Sequence, residues 1–131
     1  MERLKSGVFI TFSGNCRAAL TFYQSCFGGS LHFDKMDRKI EGYSELPIVS
    51  AALTSPSVVI YGSDLVHDDG RKIGNYLSVF LSCMDVMDRG RLVAKLAASD
   101  GQSVLGNNET DPLVEVVDIF DVRWILGLAP Q

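Results

Sequence analysis

A chain of 131 residues, 47% of them apolar, is long enough for one domain with a real core and too short for two ordinary ones. A net charge of -4 and an isoelectric point near 5.0 leave no basic stripe of the kind a phosphate backbone requires, so nucleic acid is not an expected partner. No apolar run approaches the roughly 18 residues of a bilayer span, and no signal-peptide core follows Met1–Lys5, so a soluble, unexported chain with no membrane partner is expected. Three scattered cysteines, Cys16, Cys26 and Cys83, form no CxxC pair and no disulfide framework, and they predict a reducing cytoplasm.

In chain order, Gly7–Phe12, GVFITF, is apolar and β-branched and predicts a strand buried on both faces. Ser13-Gly14-Asn15 turns the chain, and the Asn15 side chain can cap a following helix by accepting a free backbone N–H. From Cys16 to Phe27 the apolar residues Cys16, Ala19, Leu20, Tyr23, Cys26 and Phe27 recur at spacings of three and four, which gives one packing face. Gly28-Gly29 ends that helix, since glycine takes the left-handed conformation without a Cβ clash. Leu31–Met36 reads as a half-exposed strand, and Asp37–Leu46 as a loop. Ile48–Leu53 and Ser57–Tyr61 are the next strands, turned about Thr54-Ser55-Pro56. A polar linker then covers about residues 64–74.

The second half repeats the pattern. Leu77–Cys83 is a strand, and Asp85–Ala98 a helix capped by Asp85, with Asp88 in its first turn and Leu92, Val93 and Leu96 on its apolar face. Gly90 weakens that helix by about 1 kcal/mol relative to alanine. Asp100-Gly101 stops it, Gln102–Leu105 is a short strand, and Pro112–Gly127 forms a closing hairpin. A shift of 65 positions lays Pro47–Gly62, PIVSAALTSPSVVIYG, on Pro112–Gly127, PLVEVVDIFDVRWILG, without a gap, and sets Ile60 on Ile125. The prediction is one domain of class α+β, built from two tandem βαβββ modules at about residues 5–63 and 75–128.

With that duplication in view, FSGNCRAALTFYQSCFGGSL near the start, YGSD with Asp64 after the fourth strand, and VVDIFDVRW near the end resemble the PhnB-like branch of the vicinal-oxygen-chelate superfamily, which includes glyoxalase I, bleomycin-resistance proteins and extradiol dioxygenases. The resemblance covers nearly the whole chain. It implies paired βαβββ modules whose strands curl into a cup with helices outside, assembled as a homodimer. Asp121 stands where the family pattern has glycine, a turn position that Asp can also occupy.

In metal-dependent members of the superfamily, His, Glu or Gln side chains from the first and last strands of each module converge on a divalent ion. Carried over from the Asn15, Asp85 and Asp118 landmarks, those positions fall near Val8, Ile60, Val79 (or Ser78) and Ile125. A slip of one residue offers Phe9, Val59, Tyr61, Phe80 or Trp124, and none of these sets provides the ligands. The two histidines, His32 and His67, stand apart from these positions and read as surface residues. The sequence therefore predicts no metal and no cofactor.

Among the remaining candidates, Arg123 shares a face with Ile125 by the period-two rule and can bind a carboxylate or phosphate, or else pair with an acid at the rim or across a dimer. Glu115 is the one carboxylate in the apolar run VEVV, where it can serve as a general base or as an outward charge on an edge strand. Cys16 opens a helix whose dipole can lower a thiol pKa, although no spacing sets a histidine beside it, and core filling is the simpler role. Trp124, Phe22 and Tyr23 read as packing, and Tyr61 as the aromatic best suited to a cleft.

The expected ligand-binding residues are Val8, Ile10, Ile60, Tyr61, Val79, Arg123 and Ile125, with Glu115 and Arg123 as the catalytic candidates. The reading is a metal-free small-molecule-binding protein that forms a homodimer. Its alternatives are a lyase, isomerase or other enzyme of the same superfamily, and a structural or regulatory dimer.

Overall fold

Two units divide the chain, Met1–Lys72 and Ile73–Gln131. The computed structural model describes residues 6–35, 46–64, 74, 77–97, 103–105 and 111–129. The expected loop at Asp37–Leu46 lies almost wholly outside the described residues. So do the linker beyond Asp64, apart from Gly74, and the helix stop at Asp100-Gly101.

Unit 1 runs β1 (Val8–Thr11), α1 (Cys16–Phe27), β2 (Ser30–Lys35), β3 (Ile48–Thr54) and β4 (Val59–Ser63). Its sheet has the order β1-β4-β3-β2, with β1 parallel to β4 and the other pairs antiparallel. The three-and-four spacing of α1 does what it predicts: Cys16, Ala19, Leu20, Tyr23 and Cys26 are all buried. Beneath them lie Leu53 and Ile60, both fully buried and paired across the strands. A Cβ added to Gly62 would stand 3.1 Å from the Cys16 sulfur, which fixes the side of the sheet that looks at the helix.

The start of α1 is not capped as expected. Asn15 makes no side-chain cap and instead accepts the Ser13 N–H at 3.4 Å. The Cys16 N–H goes to Asp64, at the far end of β4, at 2.9 Å. An ionised acceptor outbids a neutral amide for a helix-start donor, because charge-assisted hydrogen bonds are about twice as strong. The other end stops at the glycine pair, with φ of 75° at Gly28 and 97° at Gly29. A Cβ at Gly29 would run into the Thr54 carbonyl, so that position needs glycine for space as well as for conformation.

Unit 2 repeats the plan with β5 (Val79–Cys83), α2 (Val86–Ala97), β6 (Ser103–Leu105), β7 (Val114–Val117) and β8 (Arg123–Leu128), in the order β5-β8-β7-β6. Asp85 caps α2 as its sequence predicts, accepting the Asp88 N–H at 2.8 Å, while Asp88 reaches back to the Met84 N–H at 3.1 Å. Val114, Val116, Trp124 and Leu126 are the buried hydrophobic residues of β7 and β8. The α+β class and the tandem βαβββ order are thus as the sequence indicates.

The register of the repeat is different. Leu53 pairs with Ile60 in unit 1, whereas Val116 pairs with Trp124 in unit 2. Ile60 therefore corresponds to Trp124, a shift of 64, and Leu53 to Val116, a shift of 63, so the second hairpin is one residue longer. Its turn contains Asp121 at φ 66°. Because alternate strand residues point to opposite faces, the gap-free match of Ile60 with Ile125 joins a residue under the helix to one on the other side.

Candidate binding face

Each sheet has a face turned away from its own helix, and the period-two rule assigns residues to it. In unit 1 the paired residues Phe9 and Tyr61 stand on that face at the middle of β1 and β4, and Phe9 is 61% exposed. In unit 2 the corresponding pair is Phe80 and Ile125, with Phe80 59% exposed. The Phe80 ring leans over Gly127, where a Cβ would lie 3.0 Å from it.

This geometry divides the expected pocket residues. Val8, Ile10 and Ile60 lie on the helix side of unit 1, where Val8 pairs with Ile60 and Ile10 with Gly62. Val79 lies on the helix side of unit 2, paired with the fully buried Trp124. Tyr61, Ile125, Arg123 and Glu115 occupy the helix-free faces. The exposed Phe9 also shows that β1 is covered on one side only, not on both. The sequence offered Phe9 and Phe80 only as the result of a one-residue slip from the positions that spacing from Asn15 and Asp85 indicates.

Arg123 and Glu115, considered separately in the sequence, form one ion pair. Arg123 Nη1 donates to Glu115 Oε2 at 2.6 Å, with side chains 27% and 21% exposed. Glu115 sits opposite Ile125, and Val117 opposite Arg123, so the pair runs diagonally across two strands. Strand β7 lies between β8 and β6, which removes the edge-strand explanation of Glu115. The Arg123 Nε is buried and has no hydrogen-bond partner among the described residues.

Among the described residues the donor set does not suit a divalent metal. Where the superfamily pattern asks for imidazole and carboxylate, the first and last strands of the two units present Phe9, Tyr61, Phe80 and Ile125 on their helix-free faces. Among the described residues, no group of three His, Cys, Asp or Glu side chains could hold a metal ion. His32 is a surface residue whose Nε2 lies 3.3 Å from Asp34, and His67 lies outside the described residues. Neither Cys16 nor Cys83 is activated: burial, with Asp64 adding to it, pushes Cys16 up to about 12, and burial raises Cys83 as well. The helix dipole at Cys16 is outweighed by desolvation and a nearby carboxylate.

Three buried charged residues do structural work. Asp64 accepts the N–H groups of Gly14 and Cys16 at 3.0 and 2.9 Å through Oδ1, and that of Ile48 at 3.0 Å through Oδ2. Asp118 accepts the N–H groups of Phe120 and Val122 at 2.8 and 3.1 Å and the Trp124 indole N–H at 2.9 Å. These two carboxylates are the acidic residues of YGSD and VVDIFDVRW, so the most recognisable motifs hold turns and strand ends. Arg89, which the sequence reading passed over, reaches from α2 to the Asp111 carbonyl at 2.8 Å. Its signal was a lone arginine in the stripe of Val93 and Leu96.

No protein-family model matches the chain. Protein YjdN of Escherichia coli (strain K12) is 25% identical over 139 residues, covering 94% of each protein. Among solved structures, protein PA1353 from Pseudomonas aeruginosa superimposes with a TM-score of 0.78 at 23% identity, covering 98% of this chain and 100% of that one. A PhnB protein from Bacillus cereus, described as a putative 3-demethylubiquinone-9 3-methyltransferase, gives 0.76 at 23% identity, covering 96% and 100%. The fosfomycin resistance protein FosX from Listeria monocytogenes, solved with Mn(II) and sulfate, gives 0.62 at 8% identity over 99% of this chain and 93% of that one.

Proposed function

From the vicinal-oxygen-chelate fold that this chain shares with the PhnB-like and FosX proteins, we propose a small-molecule-binding protein that works without the superfamily's metal. One observation carries the reading. Two large aromatic side chains, Phe9 and Phe80, lie more than half exposed on sheet faces, each beside a residue of the last strand where a metal ligand would otherwise stand. Exposed apolar surface of this kind marks a place where something binds, and apolar walls with a few polar groups are what small-molecule sites use. The proposed binding residues are Phe9, Tyr61, Phe80, Ile125 and Arg123.

Glu115 engages Arg123 with one oxygen, which makes it a poor candidate for an unencumbered general base, so the enzyme alternative finds less support than binding. The same exposed aromatics would suit a second copy of the chain, and we propose a homodimer on that ground. The three buried cysteines, none of them in a disulfide, fit a reducing cytoplasm. No described helix is long and apolar enough to cross a membrane.

Two measurements test the reading. Elemental analysis of protein purified without chelator should find less than stoichiometric divalent metal; one tightly held ion per chain would overturn the metal-free assignment. A thermal-shift screen of small aromatics, acids, amides and antibiotics including bleomycin and fosfomycin should give a raised midpoint with at least one class. Unchanged midpoints throughout, with light scattering giving a dimer that Phe80→Ser dissociates, would transfer the exposed face from ligand to subunit contact.

A further inference from the structure

Among the described strand residues, each helix-free face carries one carboxylate, and the two are differently engaged. In unit 2 Glu115 is closed by Arg123 at 2.6 Å. In unit 1 Asp34 is open: its Oδ2 accepts the Ser50 hydroxyl at 3.0 Å, and its Oδ1 lies 3.3 Å from Nε2 of His32, a partner that is charged only when protonated. The Asp34 side chain is 60% exposed, and the described strand residues that period two assigns to this face include no lysine or arginine. Next to the carboxylate, a row crosses the sheet, with His32 opposite Ala52 and Ala52 opposite Tyr61. The Tyr61 ring leans over β1, where a Cβ added to Gly7 would stand 2.8 Å from its Cε2. His32 and Tyr61 thus rise two strand spacings apart, about 9.5 Å, with the partly exposed Ala52 methyl as the floor between them. A flat ring fits that gap, since it needs contact separations of about 3.5–4 Å on each side.

We infer that this row takes a primary amine on an aromatic body, the ammonium on the Asp34 carboxylate and the ring over Ala52 against Tyr61. This inference rests on the small-molecule reading above and names the chemistry that unit 1 selects. Asp34 is two residues from His32 along β2, about 7 Å, a span that a phenyl ring with a two-carbon arm covers. An ammonium brings three donors and no acceptor, which suits a carboxylate whose lone pairs reach solvent. An anion would meet Asp34 with no cation on the face to offset it, and the chain's charge of -4 opposes an anion further. A hydroxyl can donate to the same carboxylate but lacks the Coulomb attraction.

Matched probes test it. In an NMR titration of the 15N-labelled full chain with 2-phenylethylamine, 2-phenylethanol and 3-phenylpropionate, the amine should shift the backbone amides of Asp34, Ala52 and Tyr61. It should bind about threefold more tightly than the alcohol, the worth of one exposed ion pair, and the carboxylate should bind most weakly. Asp34→Asn keeps the shape of the side chain and its contact with Ser50; it should abolish the advantage of the amine and leave the alcohol unchanged. Ala52→Leu fills the floor and should weaken both. Amide spectra verify that each variant is folded, and should either fail to fold, the ranking of the three probes and the positions they shift in the unaltered protein still decide. The carboxylate preferred over the amine, an amine advantage that survives Asp34→Asn, or equal binding of amine and alcohol overturns the amine site while leaving the broader reading in place. Probes that shift only Phe80 and Ile125 overturn it too, with unit 2 then keeping the binding role. If no probe binds anywhere, the amine site falls, and a negative wider screen takes the small-molecule reading with it.

Discussion

The two units build the same four-stranded sheet and set a 12-residue helix on it, yet they fasten the helix by different means. Helix α1 buries five residues, none of them charged, whereas the buried residues of α2 are Arg89 and Leu96. The fourth residue of each helix shows the exchange: Ala19 in the first is a small core contact, and Arg89 in the second is a long polar tie. Both units also secure the start of their third strand. Unit 1 does it with an acceptor, Asp64 taking the Ile48 N–H, and unit 2 with a donor, Arg89 giving to the Asp111 carbonyl. A strand end offers both an N–H and a C=O, so either sign of charge can hold it. What the fold fixes is the need for a tie; the residue that makes it is free to change.

That comparison is most exposed to test at Asp64. Asp64→Ala strands the N–H groups of Gly14, Cys16 and Ile48, and hydrogen bonds to a buried charged group are the strong ones, so the loss should be on the order of 4 kcal/mol. Asp64→Asn keeps acceptor capacity and should lose less. Urea unfolding measures both, and a loss below about 1 kcal/mol for alanine would mean that the carboxylate is not the tie it resembles. Arg89→Met should come next, at about 1–2 kcal/mol, since it removes the charged donor of a part-buried hydrogen bond but keeps much of the side-chain volume. Hydrogen exchange should place that loss in α2 and the start of β7. An equal loss of protection around α1 would erase the distinction between the two anchors.

Cys16 gives the comparison a pH axis. Its thiol pKa is raised in the folded protein from 9.0 to about 12, by burial first and then by Asp64. A raised folded pKa means that the neutral thiol is favoured on folding; its stabilisation is complete below the unfolded value and is lost progressively as pH rises from 9.0 toward 12. The loss should amount to about 1 kcal/mol by one pH unit above the unfolded value. Thermal midpoints across the alkaline range should thus fall more steeply for the unaltered protein than for Cys16→Ala, and parallel curves would show that the thiol ionises equally in both states.

These residues also indicate what could be read in advance. Element order and the limits of α1 were legible, because they rest on local periodicity and on glycine conformation at Gly28 and Gly29. The faces were not. They depend on the parity of a hairpin whose one-residue extension is hidden by a gap-free match, and parity decides whether Trp124 or Ile125 lies under the helix. The cap at Asn15 misled for a different reason, since its competitor, Asp64, is distant in sequence and arrives only through the tertiary fold. The Glu115–Arg123 pair lay between these cases: both residues stood out as charges in apolar strands, but only the sheet register joins them.

The smallest effect concerns the helix with the polar anchor. Gly90 lies inside α2, exposed, and a Cβ built there meets nothing within 4 Å. Its φ is not in the left-handed region, unlike those of Gly28 and Gly29, so alanine fits the existing backbone. Alanine also has fewer conformations to lose on folding, and Gly90→Ala should therefore stabilise the protein by about 0.5–1 kcal/mol. If α2 owes its position to Arg89 rather than to its own helical propensity, that gain should persist undiminished in an Arg89→Met background, because substitutions add when they share no partner, and a Cβ at Gly90 meets nothing within 4 Å. A gain that appears only when Arg89 is absent would show instead that the arginine had been compensating for the glycine, and that the two helices differ in propensity before they differ in anchoring.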